Sequence, residues 1–209
     1  MAGSPDPDAA LMLRAKRGDR GAFEELVVRH QQAVVNFIFR SVADVEEAED
    51  LAQNAFIQAW KARKRYQVSA RFTTWLFTIA RNLTLNELRR RSRHRNESID
   101  APAGDDPSVV RQIEDKQSEG AVDQLLREEV ESIVARAVSE LPEAQRTAIL
   151  LWQDEETTYE DIARVLGCSL SATKSIIFRA RETLKQRLKP FLKTGEWPEG
   201  SSATFPRSR

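Results

Sequence analysis

Residues 157–181 read TTYEDIARVLGCSLSATKSIIFRAR, and the pattern of this segment predicts two helices joined by a tight turn. Its first part is apolar at helical spacing and ends at Gly167, a residue that can adopt the left-handed conformation found after the last turn of a helix. Ser169 is a favourable N-cap for a second helix, whose buried face is predicted to carry Thr173, Ile177, Ala180 and Leu184. Two helices joined by a glycine-centred turn, the second of them basic, form the helix-turn-helix pattern, which places its second helix in the major groove of DNA.

The opposite face of this second helix is mainly polar and basic. Lysine and arginine on such a face can reach phosphates or guanine edges, and an apolar residue such as Ile176 can contact a thymine methyl. An ordinary helical hairpin with a charged outer face would show the same pattern, so the motif alone leaves both interpretations open. The residues predicted to face DNA are Ser171, Ala172, Lys174, Ser175, Ile176, Phe178, Arg179 and Arg181.

The helices upstream of this motif belong to the same predicted module. One is expected over 122–139, and the next begins near Pro142, which suits the first turn of a helix. Thr157 and Glu160 have the Thr-x-x-Glu spacing of a capping box, which would start the helix before Gly167. We therefore expect a helical domain over 121–193, followed by a tail over 194–209.

The first half of the chain has the same helical character. Three segments repeat apolar residues at three- and four-residue steps, which indicates helices that pack by one face into a small bundle. These segments run over about 23–38, 45–63 and 72–93. The bundle is expected to span 9–95, and the polar, proline-containing residues 1–8 are expected to be disordered. The predicted fold class is all-α, with two small helical domains.

Charge is distributed in blocks, although the formal net charge is zero. Residues 61–95 hold eleven basic residues against one acid, 96–131 hold eleven acids against three basic residues, and 171–193 hold seven basic residues against one acid. Two basic segments on predicted helices are typical of surfaces that bind polyanions. The net charge of zero does not reveal them, because the acidic segment between them cancels their charge. The acidic segment 96–120 is aperiodic and contains proline and glycine, so it is predicted to be a flexible linker between the domains.

The composition argues against several other classes of protein. No apolar run is long enough to cross a membrane, and the first residues lack the apolar segment of a signal peptide, so we expect a cytoplasmic protein. The one cysteine, Cys168, cannot form an internal disulfide, and the two histidines, His30 and His94, lack metal-ligand spacing. We expect no metal and no cofactor. Without clustered carboxylates in a site, a phosphate-binding loop or a histidine pair, we also expect no enzymatic activity.

Several motifs occur in a fixed order along the chain. AEDLAQNAFIQAW at 48–60 is followed by FTTWLFTIARNL at 72–83 and by an arginine-rich end at 86–91. LPEAQR at 141–146 then precedes YEDIA at 159–163 and TKSIIFRAR at 173–181. Together, over residues 9–190, these motifs resemble the extracytoplasmic-function group of the sigma-70 family of transcription factors. Two positions depart from that pattern: Ile176 stands where arginine or a similar polar residue is frequent, and Glu156 stands where glycine is usual.

The resemblance implies a separate role for each domain. The first domain would dock on the β′ clamp of core RNA polymerase through Asp50, Leu51, Gln53, Asn54 and Phe56. It would also capture the −10 element of promoter DNA and help to melt it, through Arg65, Tyr66, Arg71, Arg81, Asn82, Arg89 and Arg90. The second domain would contact the β flap and recognise the −35 element with the residues of the helix-turn-helix. An anti-sigma protein is a further implied partner, and no membrane insertion is implied.

The chemistry of these residues suits the implied roles. Proteins that bind single-stranded DNA use basic residues such as arginine to contact phosphates and aromatic rings to stack on bases. Tyr66 is the ring expected to stack. Trp75, which lies at helical spacing with Leu76 and Ile79, is expected to belong to the core instead. Two other interpretations remain at this point. A stand-alone helix-turn-helix repressor or activator would need a dimer interface, and an adaptor that only binds polymerase would not need two basic blocks.

Overall fold

The computed structural model describes residues 6–97, 121–154 and 156–194, with side chains over 6–93, 130–154 and 156–191. Every regular element within these ranges is helical, as the all-α prediction requires. The α-helices are α1 (Pro7–Lys16), α2 (Arg20–Val42), α3 (Val45–Ala62), α4 (Phe72–Glu97), α5 (Ala121–Ser139), α6 (Glu143–Trp152), α7 (Tyr159–Leu166) and α8 (Leu170–Thr194). A short 3-10 helix, Arg63–Arg65, follows α3.

The first module consists of α1 to α4, with α2 packed against α1, α3 and α4. Asp19 and Asp44 cap α2 and α3 by accepting hydrogen bonds from the backbone N–H of Ala22 and Glu47, at 3.0 and 2.9 Å. These bonds satisfy N–H groups that a helix start leaves without a partner. The apolar faces then meet in a core that includes the fully buried Leu26 and Ile38.

The prediction of disorder over 1–8 is wrong for residues 6–8. Asp6 caps α1, and Asp8 lies in its first turn. Both acids also bind other helices, because Asp8 pairs with Arg29 and with His30, and Asp6 accepts a hydrogen bond from the backbone N–H of Phe72 at 2.8 Å. Contacts from α2 and α4 therefore order a segment whose own composition favours disorder.

The second module consists of α5 to α8, with α6 and α7 packed against α8. Two details of its helix starts differ from the prediction. Pro142 is the N-cap of α6, one position before the first turn. The capping box is formed by Thr158 and Asp161, because the Thr158 hydroxyl is positioned to accept from the N–H of Asp161, whereas Thr157 binds Asp154.

The two modules pack against each other along α4 and α7, and α2 also contacts α5 and α6. The core of the first module continues into the second through Leu151, Ile162 and Val165. The predicted linker lies outside the described residues over 98–120, while residues 96 and 97 still belong to α4. The predicted tail lies outside them from residue 195 onward. Among the described helices, none combines the length and the apolar character of a membrane span.

Candidate nucleic-acid interface

The helix-turn-helix predicted around Gly167 is present as α7, a tight turn and α8. Gly167 has a φ of 67°, in the left-handed region, and its N–H donates to the carbonyl of Arg164. The N–H of Cys168 donates to the carbonyl of Ala163 at 3.1 Å, and Ser169 caps α8 by accepting from the N–H of Ala172 at 3.2 Å. These bonds fix the angle at which α8 leaves α7.

The buried face of α8 matches the prediction. Thr173, Ile177 and Ala180 are each at most 3% exposed, and Leu184 packs beside them. Thr173 donates its hydroxyl to the carbonyl of Ser169 at 3.0 Å and lies 3.2 Å from the Cys168 sulfur. The half-buried Cys168 thus packs against Thr173 at the base of the turn.

The other face of α8 is exposed over most of the residues predicted to contact DNA. Ser171, Lys174, Ser175, Phe178, Arg179 and Arg181 are exposed, and the ring of Phe178 is 67% accessible. Ala172 and Ile176 are half-buried, and Ile176 packs against the core. Ile176 is therefore mainly a packing residue, which corrects its assignment to the outer face.

Two cations of α8 rest near aromatic rings of the neighbouring helices. The ammonium of Lys174 lies 5.9 Å from the ring centre of Tyr159, and the guanidinium carbon of Arg181 lies 5.0 Å from that of Trp152. A cation within about 6 Å of a ring face is attracted to it. These contacts restrict the rotamers of both side chains in the free protein. Less side-chain conformational entropy is therefore lost when the face binds a partner.

We expect Gly167→Ala to lower the free energy of unfolding by about 1 kcal/mol, because alanine is strained at a positive φ. A Cβ at this position would meet nothing within 4 Å, so the cost is conformational and not steric. Gly21→Ala, in the first turn of α2, is the matched control and should be neutral or stabilising. Urea unfolding of the variants gives both values, and equal stability of Gly167→Ala and wild type would contradict the role of the turn.

The segment between α3 and α4 brings together only part of the predicted −10 surface. Arg65 is exposed at the end of the 3-10 helix. Tyr66, by contrast, is 1% exposed, and its ring packs against Phe72 and Trp75 with centroid distances of 6.4 and 5.2 Å. The expectation that Tyr66 offers a ring to a DNA base is therefore not supported. Trp75 is half-buried against the core, as predicted.

The Tyr66 hydroxyl is buried without a hydrogen-bond partner among the described residues. Its burial, together with the nearby charges of Asp6 and Asp8, raises the pKa of Tyr66 to about 12. Because the folded-state pKa is raised, ionisation of Tyr66 is disfavoured in the folded protein. The free energy of unfolding is therefore maintained below the ordinary tyrosine pKa near 10 and falls as pH rises toward 12.

We expect Tyr66→Phe to remove this alkaline loss of stability. The variant should be at least as stable as wild type at neutral pH, because it deletes an unsatisfied buried group and keeps the ring. Urea unfolding at neutral pH and again between about pH 10 and 12 measures the difference. A lower free energy of unfolding for Tyr66→Phe at neutral pH would show that the hydroxyl makes a stabilising hydrogen bond.

The remaining predicted −10 residues lie along α4. Asn82, Arg89 and Arg90 are exposed, and Arg90 pairs with Glu87 one turn earlier. Arg71 and Arg81 face the second module instead. Arg81 binds both carboxylate oxygens of Glu143, at 2.8 and 3.0 Å, and Arg71 binds the carboxylate of Glu156 at 2.5 Å.

The predicted docking helix, α3, borders a groove that it forms with α2. Asp50, Gln53 and Asn54 are exposed, Leu51 is half-buried, and Phe56 is 7% exposed with its ring in the first module's core. Gln53 and Phe56 line one side of the groove, and α2 lines the other. The lining residues from both helices are Val27, Gln31, Gln32, Val35, Glu49, Ala52, Gln53 and Phe56.

Sequence reasoning missed the acids of the second module that meet α4. Asp161 is 5% exposed and accepts a hydrogen bond from the Thr74 hydroxyl at 2.9 Å, while Glu143 and Glu156 bind the two arginines. Glu156 was noticeable only as a departure from the expected glycine. The partners of these acids are 62 to 87 residues away in the chain, so no local pattern reveals them.

No group of histidine, cysteine and carboxylate side chains within the described residues has the arrangement of a metal site. His30 binds Asp8 and packs on the ring of Phe72 at 5.5 Å, which is a structural role.

Comparison with protein families gives two matches in the order of the two modules. Residues 26–94 match the family described as Sigma-70 region 2, and residues 132–184 match Sigma-70, region 4. The first match covers most of α2 to α4, and the second covers the helix-turn-helix with the helices before it.

Individual relatives extend over nearly the whole chain. The RNA polymerase sigma-H factor of Pseudomonas aeruginosa is 38% identical, over 90% of this chain and 97% of its own length. The ECF RNA polymerase sigma-E factor of Escherichia coli K12 is 33% identical, over 89% and 96%. Among solved structures, the sigma factor RpoE in complex with the anti-sigma factor NepR, from Bartonella quintana, matches with a TM-score of 0.64 and 26% identity, over 83% and 98%.

Proposed function

Because the chain belongs to the extracytoplasmic-function group of the sigma-70 family of RNA polymerase sigma factors, we propose that it binds core RNA polymerase and directs it to promoters with a −35 and a −10 element. Sigma factors are not enzymes, so no catalytic activity is proposed for this chain. The observation that carries the proposal is the division of α8 into a packed face and an exposed, basic face.

The exposed face of α8 is the proposed reader of the −35 duplex. Lys174 and Arg179 are five residues apart, and the exposed Ser171 and Ser175 lie within one turn of Lys174, so hydroxyl donors accompany the two cations. An α-helix fits the major groove of B-DNA, where arginine binds guanine and hydroxyls bind either bases or phosphates. Phe178 adds an apolar contact of the kind that a thymine methyl accepts.

The proposed −10 surface consists of cations and amides, without the Tyr66 ring. Arg65 lies at the start of the segment that precedes α4, and Gln67 and Ser69 are exposed beside it. Asn82 and Arg89 continue the surface along α4. Positive charge along the path of the DNA backbone stabilises bound single-stranded DNA. Its contribution to the binding free energy decreases as the salt concentration rises.

The groove between α2 and α3 is the proposed contact with the β′ clamp. It has apolar walls from Val27, Val35 and Phe56, and glutamine amides at its rim. Interfaces of stable complexes combine such an apolar centre with a polar edge. The second module would meet the β flap, and an anti-sigma protein, such as the one in the complex of the similar RpoE, would act in the same cytoplasmic compartment as polymerase.

The experiment that tests this function is transcription by purified core polymerase on fragmented genomic DNA, with and without the chain. We expect transcripts that start only when the chain is present, downstream of a shared pair of elements at a constant spacing. A stand-alone repressor or activator would bind duplex DNA without polymerase and give no such starts. An adaptor would bind polymerase and leave the start sites of the core enzyme unchanged.

A further inference from the structure

The first helix, α1, is held firmly on the first module, against α2 and α4. Its inward residues Met12 and Ala15 are both 0% exposed. Asp8, in its first turn, pairs with Arg29 and His30 of α2. A helix fixed along its length in this way can hold a neighbouring segment in a defined position.

The neighbouring segment is residues 66–71, which we name the anchored loop and which joins the 3-10 helix to α4. Lys16, in the last turn of α1, donates from Nζ to the backbone carbonyl of Tyr66 at 2.8 Å. The Tyr66 ring packs on Phe72 and Trp75. Both the backbone and the side chain of Tyr66 are therefore held, so the first end of the loop has a fixed position.

The second end of the anchored loop is held by Asp6, the N-cap of α1. One carboxylate oxygen accepts from the N–H of Asp8 at 3.0 Å, and the other accepts from the N–H of Phe72 at 2.8 Å. Phe72 is the first residue of α4, and the first N–H groups of a helix have no partner within that helix. One carboxylate thus completes the starts of both α1 and α4, and it fixes the residue at which the loop ends.

The middle of the anchored loop is open to solvent between these two ends. Gln67, Val68 and Ser69 are exposed, and Val68 is 59% accessible. Among the described residues, the backbone hydrogen bond inside the loop joins the N–H of Ser69 to the carbonyl of Gln67, at 2.8 Å. With so little bonding of its own, the loop takes its shape from the contacts at its ends.

We propose that α1 is a positioning element for promoter capture: Lys16 and Asp6 hold the anchored loop in the shape that binds the single-stranded −10 element. This inference rests on the proposed function, because the loop belongs to the proposed −10 surface. Lys16 and Asp6 act through the backbone of the loop and do not themselves contact DNA. They are therefore positioning residues, and the exposed loop residues between them make the contacts.

Anchoring lowers the cost of binding. A loop that is disordered in the free protein loses conformational entropy when it binds, and a loop already held in the binding shape loses less. Each anchor has one charged partner and is partly buried, so it is stronger than a neutral hydrogen bond and less screened by salt than a surface contact. If loss of one anchor leaves about a tenth of the molecules with the loop in the binding shape, the affinity for matching DNA falls roughly tenfold.

Two substitutions, Lys16→Met and Asp6→Ala, each release one end of the loop. Lys16→Arg is the conservative variant, because it keeps a cationic donor at the same place. Arg17→Met is the matched control for Lys16→Met, since it removes one positive charge from the adjacent, exposed position. Asp44→Ala is the matched control for Asp6→Ala, since it removes the capping carboxylate of α3.

The first measurement is fluorescence anisotropy with holoenzyme formed at saturating core polymerase. The probes are two labelled single-stranded oligonucleotides: one has the non-template −10 sequence of a promoter found by the transcription assay, and the other has the same bases in scrambled order. We expect Lys16→Met and Asp6→Ala to bind the −10 oligonucleotide roughly tenfold more weakly than wild type. Binding of the scrambled oligonucleotide should fall no further than in the two controls, because it depends mainly on phosphate charge. Lys16→Arg should retain most of the wild-type preference.

The second measurement is hydrogen exchange of the free, full-length protein, which reports the anchoring without DNA or polymerase. Amides of residues 67–72 should exchange roughly tenfold faster in the two releasing variants, and at the wild-type rate in the controls. The amide of Phe72 should respond most to Asp6→Ala, since that substitution removes its acceptor. A general loss of stability would instead speed exchange throughout the core of the first module.

Three results would overturn the inference: a wild-type preference for the −10 oligonucleotide in both releasing variants, equal weakening on both oligonucleotides, and unchanged exchange of the loop. Faster exchange of the whole first module would also overturn it, because the anchors would then serve the fold and not the loop. Failure of the proposed function looks different, since the wild-type holoenzyme itself would then bind both oligonucleotides equally.

Discussion

Lys174→Ala and Arg179→Ala are each expected to weaken binding of the holoenzyme to a double-stranded promoter by about 1–3 kcal/mol, or roughly 5- to 150-fold, where the lost contact is to a base. The reason is geometric. Both side chains are exposed on α8, outside the buried face formed by Thr173, Ile177 and Ala180, so truncation removes a DNA contact and leaves the core intact. For Lys174 it also removes the contact with the Tyr159 ring.

The two substitutions are also expected to differ from each other. Loss of a phosphate contact weakens all sequences alike and reduces the salt dependence, whereas loss of a base contact relaxes specificity at one position. Lys189→Ala is the matched control, because it removes one positive charge from an exposed site about 22 Å beyond Lys174 and about 15 Å beyond Arg179, given a rise of 1.5 Å per residue. Gel-shift titration at two salt concentrations measures both effects. Wild-type binding by Lys174→Ala and Arg179→Ala would exclude α8 as the reader.

Gln53→Arg is expected to weaken assembly with core polymerase by about 2 kcal/mol, or roughly thirtyfold, if the groove of α2 and α3 is the docking site. Gln53 is exposed at the rim of the groove beside Phe56, so the change places a longer, charged side chain at the edge of the proposed apolar contact. The fold should not change, because the side chain lies outside the core.

Gln58→Arg provides the matched control for the docking prediction. Gln58 is exposed on the same helix, and five residues at 3.6 per turn place it about 140° around α3 from Gln53. Fluorescence titration of core polymerase with labelled chain gives the affinities, and circular dichroism checks the helix content. Equal weakening by both variants would indicate a nonspecific charge effect, and no weakening by Gln53→Arg would place the docking site elsewhere.

Local patterns in the sequence were sufficient to place most of the helices, but α1 (Pro7–Lys16) was not predicted. Apolar spacing predicted segments that correspond to α2, α3 and α4, and Gly167 with Ser169 marked the turn and the start of α8. These features depend on residues within a few turns of one another, which is the range over which periodicity and capping act. The division of α8 into buried and exposed faces followed from the same spacing, with Ile176 as the exception.

Features that depend on contacts between distant residues could not be predicted. Asp6 and Asp8 are ordered by α2 and α4, and Tyr66 is drawn into the core by Phe72 and Trp75 although polar residues flank it. The pairing of Arg81 with Glu143 depends on how the two modules dock, which no short window of sequence contains. The −10 surface was therefore the less predictable of the two, because its loop and its arginines are defined by such contacts.

Permanganate footprinting of a promoter fragment reports unpaired thymines and so measures whether the chain directs melting to a promoter. With core polymerase and the wild-type chain, we expect reactive thymines confined to the −10 region of a promoter identified by transcription. Core polymerase alone should give none, and Lys174→Ala should give a weaker signal at the same positions. A wild-type pattern no different from that of core polymerase alone would contradict the proposed function.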